Sequence, residues 1–258
     1  MLNWKNGKSV AIVSGGKYKN KILRMDHSVI PEEIRESGNK DYFDEIKLTS
    51  GYFKPYPDDS KSTSRECLYV AGPSGSGKST YCSNYLKAFR NLNPDRDVIV
   101  FSQVDDDEVY KNKKLKAKKI EISNDLLEDP IDINTDFAEG PCIIFDDTNT
   151  IREKKLREEI MNVRDTLLET GRHLGCTTIC TNHQLMDYAR TRTLLNEAHL
   201  VTFFPASGAY HIKRFLKEYC GLDKKTIQRV MKLRSRWVTV SKNYPPMCFC
   251  ETEAFMLR

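Results

Sequence analysis

"AGPSGSGKST", residues 71–80, follows the apolar run "CLYV" (67–70) and opens the helix-like stretch "STYCSNYLKAFRNL" (79–92). It fits G-x-x-x-x-G-K-[ST], and each residue type in that pattern has a physical task. Gly72, Gly75 and Gly77 are expected at positive φ, so that backbone N–H groups can approach a polyphosphate closely. Lys78 places a compact positive charge on the β and γ phosphates, and the Ser79 hydroxyl is a ligand for Mg²⁺. Pro73, Ser74, Ser76 and Thr80 complete the loop. The amide end of the following helix adds its dipole to the attraction for anions. A strand before and a helix after give this pattern the context in which it holds a nucleotide.

Working outward, "CLYV", "VIVFS", "KIEI", "CIIF", "CTTICT" and "LVTFF" are short apolar runs separated by helical stretches. Runs without polar alternation belong to strands buried on both faces, and so to a parallel sheet with helices on both faces. The fold expected is α/β. Residues 1–60 read differently. "SVAIVSGG" and "NKILRM" around "GGKYKN" predict a β-hairpin or part of a small barrel, a small β-rich N-terminal region. The polar, Pro- and Gly-broken stretch from Ile30 to Ser64 is expected to be loops leading into a main domain at 61–258.

The chain has 258 residues, 30% charged and 39% hydrophobic, with 41 basic against 36 acidic residues and a formal charge of +5. That size suits one α/β domain with an appendage. The charge tolerates a nucleic-acid partner without requiring one. No apolar run approaches a membrane span and "MLNWKNGKSV" lacks the apolar core of a signal peptide, so a location inside a cell is expected. Eight cysteines without paired C-x-x-C spacing fit reduced, buried thiols. The basic run "KNKKLKAKK" (111–119) is either a solvated face or a nucleic-acid contact.

"PCIIFDDTN" supplies the second chemical signal. A buried strand ending at Phe145 delivers Asp146 to bind the metal and Asp147 to orient or activate the attacking water. A long helix follows, with Ile151, Leu156, Ile160, Val163 and Leu167 at helical spacing. The strand "CTTICT" then brings Asn182, His183 and Gln184 to where a polar side chain can sense the γ-phosphate or the water. Arg190 or Arg192 beyond it, with Arg172 as a further possibility, is placed to act on a neighbouring subunit's nucleotide.

Together "GPSGSGKST", "IIFDD", "ETGRHLGCTTICTNHQ" and "RTRTLLNEAHLVTFFP" resemble the packaging ATPases of large DNA viruses, the poxvirus-type branch of the FtsK/HerA superfamily of P-loop NTPases. The resemblance runs from about residue 66 to 205, with "SRWVTVSKNYP" similar to giant-virus relatives, and leaves residues 1–60 unexplained. It implies an ASCE-type (RecA-like) core with one strand between the two Walker strands. It also implies an ATP- and Mg²⁺-dependent motor, assembled as a homo-oligomeric ring, that moves double-stranded DNA into a capsid, with capsid or portal components as possible partners. Two departures stand out: Asp147 takes the place usually held by Glu, and Asn182 and His183 precede Gln184, the residue type that usually senses phosphate. Two other classes compete: a P-loop nucleoside or polynucleotide kinase, for which "DDDE" (105–108) would have to serve as the substrate-binding acid, and a nucleotide-dependent switch or scaffold.

Overall fold

The computed structural model describes residues 1–28, 40–60, 65–103, 110, 115–206 and 208–257. The N-terminal part holds β1 (Leu2–Asn3), β2 (Lys8–Ser14), β3 (Ile22–Met25), β4 (Glu45–Lys47) and β5 (Tyr52–Pro55). Then come β6 (Cys67–Ala71), α1 (Lys78–Leu92), β7 (Val98–Ser102), β8 (Lys118–Glu121), the single-turn helices α2 (Asp125–Glu128) and α3 (Ile133–Asp136), and β9 (Cys142–Asp146). The remainder is α4 (Lys154–Thr170), β10 (Thr177–Asn182), α5 (Tyr188–Glu197), β11 (Leu200–Phe203), α6 (Ala209–Glu218), α7 (Lys224–Met231), β12 (Val238–Ser241), β13 (Met247–Cys250) and β14 (Glu253–Met256).

Six strands form a parallel sheet in the order β8-β7-β9-β10-β6-β11. As the resemblance implies, β10 lies between β6, which leads into the glycine-rich loop, and β9, which ends in the carboxylates. The strands β12, β13, β14 and β4 continue the sheet antiparallel. None of these four is foreseen from the sequence, and β4 and β5 form where loops are expected.

Alternation along each strand divides the core in two. Tyr69, Phe101, Ile143 and Phe145 face the side covered by α4, α5, α6 and α7. Leu68, Val70, Val100 and Ile144 face α1, whose residues Tyr81, Cys82, Tyr85, Leu86 and Phe89 fall at helical spacing. Val10, Val13, Leu23 and Phe53 of the four-stranded antiparallel sheet β1-β3-β2-β5 share that second core. One face of the main sheet is therefore covered by helices and the other by α1 together with the small sheet. Residues 1–60 are tied to the rest twice, through this shared core and through β4 as an edge strand of the main sheet. Ile151 is buried in the core but precedes α4 rather than lying in it.

All eight cysteines are free thiols, seven of them buried. No helix of the described residues is long and apolar enough to cross a membrane.

Glu66, just before β6, is buried where Tyr85 Oη donates to its Oε2 at 2.7 Å and the Asp58 amide at 2.9 Å. Desolvation pushes its carboxyl up to about 7. The unfolded chain holds this proton less tightly, so the stabilisation is full below the ordinary carboxylate range and is lost as pH rises toward 7. Glu66→Gln keeps the acceptor and removes the charge. In thermal melts it is expected to be more stable than the parent above pH 7, by up to about 3 kcal/mol, with a shallower pH dependence between pH 5 and 8. An unchanged pH profile would contradict this.

Candidate nucleotide site

The loop between β6 and α1 sits at the carboxyl end of the parallel strands. Gly75 and Gly77 have φ of 75° and 109°, as expected, whereas Gly72 is not at positive φ. Its constraint is tertiary: a Cβ there would meet the Phe204 ring at 2.5 Å and Ser76 Oγ at 2.8 Å. Gly77 caps α1 with no side chain, so the first amides of that helix keep their donors for an anion. Ser76 Oγ is buried without a hydrogen-bond partner among the described residues, and a Cβ on Gly75 would meet open space. These are the properties of a cradle built for a polar ligand.

Lys78 Nζ, almost wholly buried, donates to Gly72 O at 3.0 Å and lies 3.4 Å from Asp147 Oδ2. Asp147 reaches it because the chain turns sharply after β9: its φ of 47° is a left-handed conformation, which Asp tolerates better than most residues. Two hydrogen bonds hold this turn. The pairing of Cys180 with Phe145 puts Thr181 level with Asp146 on the neighbouring strand. The Thr181 hydroxyl donates to Asp146 Oδ1 at 2.7 Å and accepts from the Asp147 amide at 2.9 Å. Tyr110 Oη adds a contact to Asp146 Oδ1 at 3.3 Å.

The three candidates for the polar sensor separate clearly. Asn182 is 2% exposed and its Nδ2 donates to Tyr69 Oη at 3.2 Å, so it is a core residue that orients Tyr69. Gln184 is exposed, and its backbone carbonyl accepts from Tyr69 Oη at 2.7 Å. His183 is the one brought to the carboxylates, with Nε2 3.3 Å from Asp147 Oδ2.

The arginines separate as well. Arg190 is used within its own chain, donating to Asn149 O at 3.3 Å and lying 3.9 Å from Asp187. Arg192 on α5 is exposed. Arg172 is exposed at the amino ends of the strands, remote from the loop, where it lines a basic cavity of about 600 Å³ with Lys8, Arg65, Arg96 and His199. Neither Arg172 nor Arg192 pairs with an acid among the described residues.

A second cavity, of about 380 Å³, continues from the loop at Ser76, Gly77 and Thr80 between Phe204, Arg236 and Trp237. Tyr52 and Lys54 of β5 also line it. Nothing in the sequence signals this cavity, because its walls come from five separated segments. The acidic run 105–108 and the first part of the basic run, 111–114, lie outside the described residues.

A glycine-rich loop on an uncapped helix, a buried lysine within it and a carboxylate pair two strands away are the arrangement the P-loop pattern leads one to expect. No protein-family model matches the chain. "Uncharacterized protein V3" of Sputnik virophage is 40% identical over 259 residues, covering 97% of this chain and 96% of its own, and the chain belongs to that protein's family. Among solved structures, B204, the DNA-packaging ATPase from Sulfolobus turreted icosahedral virus, superimposes with a TM-score of 0.51 at 13% identity. That match covers 76% of this chain and 98% of B204. B204 from Sulfolobus turreted icosahedral virus 2, a genome packaging NTPase in complex with ATP-gammaS, gives 0.50 at 12% identity over 75% of this chain and 97% of its own. At that identity the likeness is one of fold, and it is the fold the motifs lead one to expect.

Proposed function

We propose that this protein is a Mg²⁺-dependent ATPase that works as a ring to translocate double-stranded DNA, in the manner of viral genome packaging. The observation that carries the reading is the Lys78–Asp147–His183 cluster at the mouth of the loop. The loop amides and Lys78 hold the phosphates. Asp147 takes a proton from the attacking water and His183 fixes the carboxylate's orientation. Ser79 and Asp146 are the residues that would hold Mg²⁺, which neutralises phosphate charge when bound. The donor set fits, since Asp146 offers a carboxylate anchored by Thr181 and Ser79 lies at the start of α1. The cavity between Phe204 and Trp237 takes the base and ribose, which gives β5 of the N-terminal sheet a share in the nucleotide site. The packaging reading draws on the fold shared with B204, whose two forms are described as packaging enzymes.

A kinase would need a substrate-binding acid after the second strand, and the run proposed for it, 105–108, lies outside the described residues. The motor reading is preferred because Lys78, Asp147 and His183 form a site for water attack.

The ring supplies the remaining positive charge in trans, from Arg192 or Arg172. A mixing experiment tests this. Lys78→Ala subunits retain both arginines, and an Arg192→Ala or Arg172→Ala subunit retains the loop. The substitution at the true finger is expected to lower hydrolysis by about 10³-fold alone, and adding inactive Lys78→Ala subunits is expected to restore part of it. If neither variant loses rate, or if mixing restores none, shared sites are contradicted.

A further inference from the structure

Residues 209–236 carry nine Lys and Arg against two acids, a net of +7, whereas the whole chain carries +5. The rest of the molecule is therefore at −2, and the positive charge is concentrated in α6, α7 and the segment leading to β12. Neither acid offsets it: Glu218 is spent on Arg214, and Asp223 Oδ1 accepts from the Thr226 amide at 2.7 Å as the cap of α7.

The apolar residues decide which way the charges point. Ile212, Phe215 and Leu216 of α6 and Val230 of α7 are buried in the helical face of the main core. Lys213, Lys217, Lys224, Lys225, Lys232 and Arg234 are left exposed, and none pairs with an acid among the described residues. Arg229 does, at 2.7 Å from Glu45. Tyr210, at the start of α6, is 71% exposed, and its ring sits edge-on to His211. Unpaired like charges repel, and beyond the dipole interaction of Lys217 in the last turn of α6 the helices gain little from them in isolation. Exposed, unpaired lysines on two helices with an exposed aromatic fit a polyanion of phosphates.

We propose that the exposed faces of α6 and α7 form the surface that grips the phosphate backbone of duplex DNA. The proposal rests on the translocase reading for its choice of duplex. It replaces residues 111–119 as the DNA contact: in the described part of that run, Lys118 is already paired with Asp97 at the strand edge. The same segment joins the grip to the nucleotide. Six residues after Lys232 the chain enters β12, and on the way Arg236 lines the cavity beside Ser76 and Gly77, with its guanidinium 3.8 Å from where a Gly77 Cβ would stand. A shift of the basic face is thereby mechanically coupled to the loop.

The test is fluorescence anisotropy of a fluorescein-labelled linear duplex titrated with the full chain in ATPγS over a salt series. Lys213→Glu/Lys217→Glu/Lys224→Glu/Lys225→Glu is compared with Lys116→Glu/Lys118→Glu/Lys119→Glu. DNA-independent ATP hydrolysis is measured on all three proteins. The helix variant is expected to bind at least about tenfold more weakly and to lose about 3–4 from the slope of log K against log salt, because each phosphate contact contributes about 0.9. Its basal hydrolysis is expected to stay intact, and the second variant to bind as the parent does. Unchanged affinity and slope in the helix variant, or a loss confined to the second variant, overturns the surface and leaves the ATPase reading standing. A parent protein that hydrolyses ATP but binds no duplex at low salt overturns both the surface and the translocase reading. A parent whose binding is salt-independent overturns the phosphate grip alone.

Discussion

Asp147→Asn is expected to lower kcat by about 10²–10⁴ while leaving ATP affinity equal to or tighter than that of the parent. The substitution is chosen for the backbone as well as the chemistry. Asp147 stands at φ 47°, which Asn tolerates and Ala does not, so the turn after β9 and the Thr181 hydrogen bond to its amide survive. Only the charge is lost, and with it the group that can accept the proton of the attacking water. Removing a negative charge near the γ-phosphate reduces repulsion in the ground state, which is why binding is not expected to weaken. Single-turnover hydrolysis with a parallel titration of a fluorescent ATP analogue separates the two quantities. A kcat within threefold of the parent would remove Asp147 from the chemistry and shift the role of base elsewhere.

Lys78→Ala is expected to act on both quantities at once. Its ammonium is nearly buried, between Gly72 O and Asp147. A charge-assisted contact to phosphate is worth about 1.5–3 kcal/mol, or roughly a 10- to 100-fold loss of affinity. Stabilisation of charge developing in the transition state adds about 10²–10³ in rate. Together kcat/KM is expected to fall by about 10³–10⁵, with KM and kcat both affected. Loss of Lys78 also leaves Asp147 without its cation, so Lys78→Met, which keeps the apolar stem, serves as the control for packing. If either variant turns over at a parental rate, the loop is not the site of hydrolysis.

Five of the six parallel strands are legible in the sequence because both their faces are buried, which leaves continuous apolar runs such as Cys142–Phe145, whereas the edge strand β8 is largely exposed and charged. The antiparallel strands β12–β14 and β4 are less legible. They are three- and four-residue segments: β12, β13 and β14 pair with their neighbours in sequence, while β4 pairs to β14 across the whole domain. The loop and the two carboxylates are legible because the pattern itself states their chemistry. Thr181 is not visible in the sequence, and His183 is visible only as one of three candidates, since the register of β10 against β9 sets Thr181 beside Asp146. That register also separates the neighbours: successive strand residues face opposite sides, so with Thr181 on the carboxylates Asn182 turns to Tyr69. Gly72 teaches the same lesson, because the Phe204 ring that forbids a side chain there arrives from residues more than a hundred positions away.

The N-terminal sheet extends this lesson to function. Residues 1–60 share no motif with the loop, yet they pack on α1 and bring Tyr52 and Lys54 to the rim of the cavity beside it. Their place beside the glycine-rich loop is a property of the fold alone.

The most direct measurement is steady-state ATP hydrolysis by the purified protein with and without linear duplex DNA, with Lys78→Ala and Asp147→Asn as blanks. A motor that couples the loop to a DNA grip is expected to hydrolyse several-fold faster with duplex present and to lose that activity in both variants. A rate that is indifferent to duplex, or that persists in the variants, would contradict it.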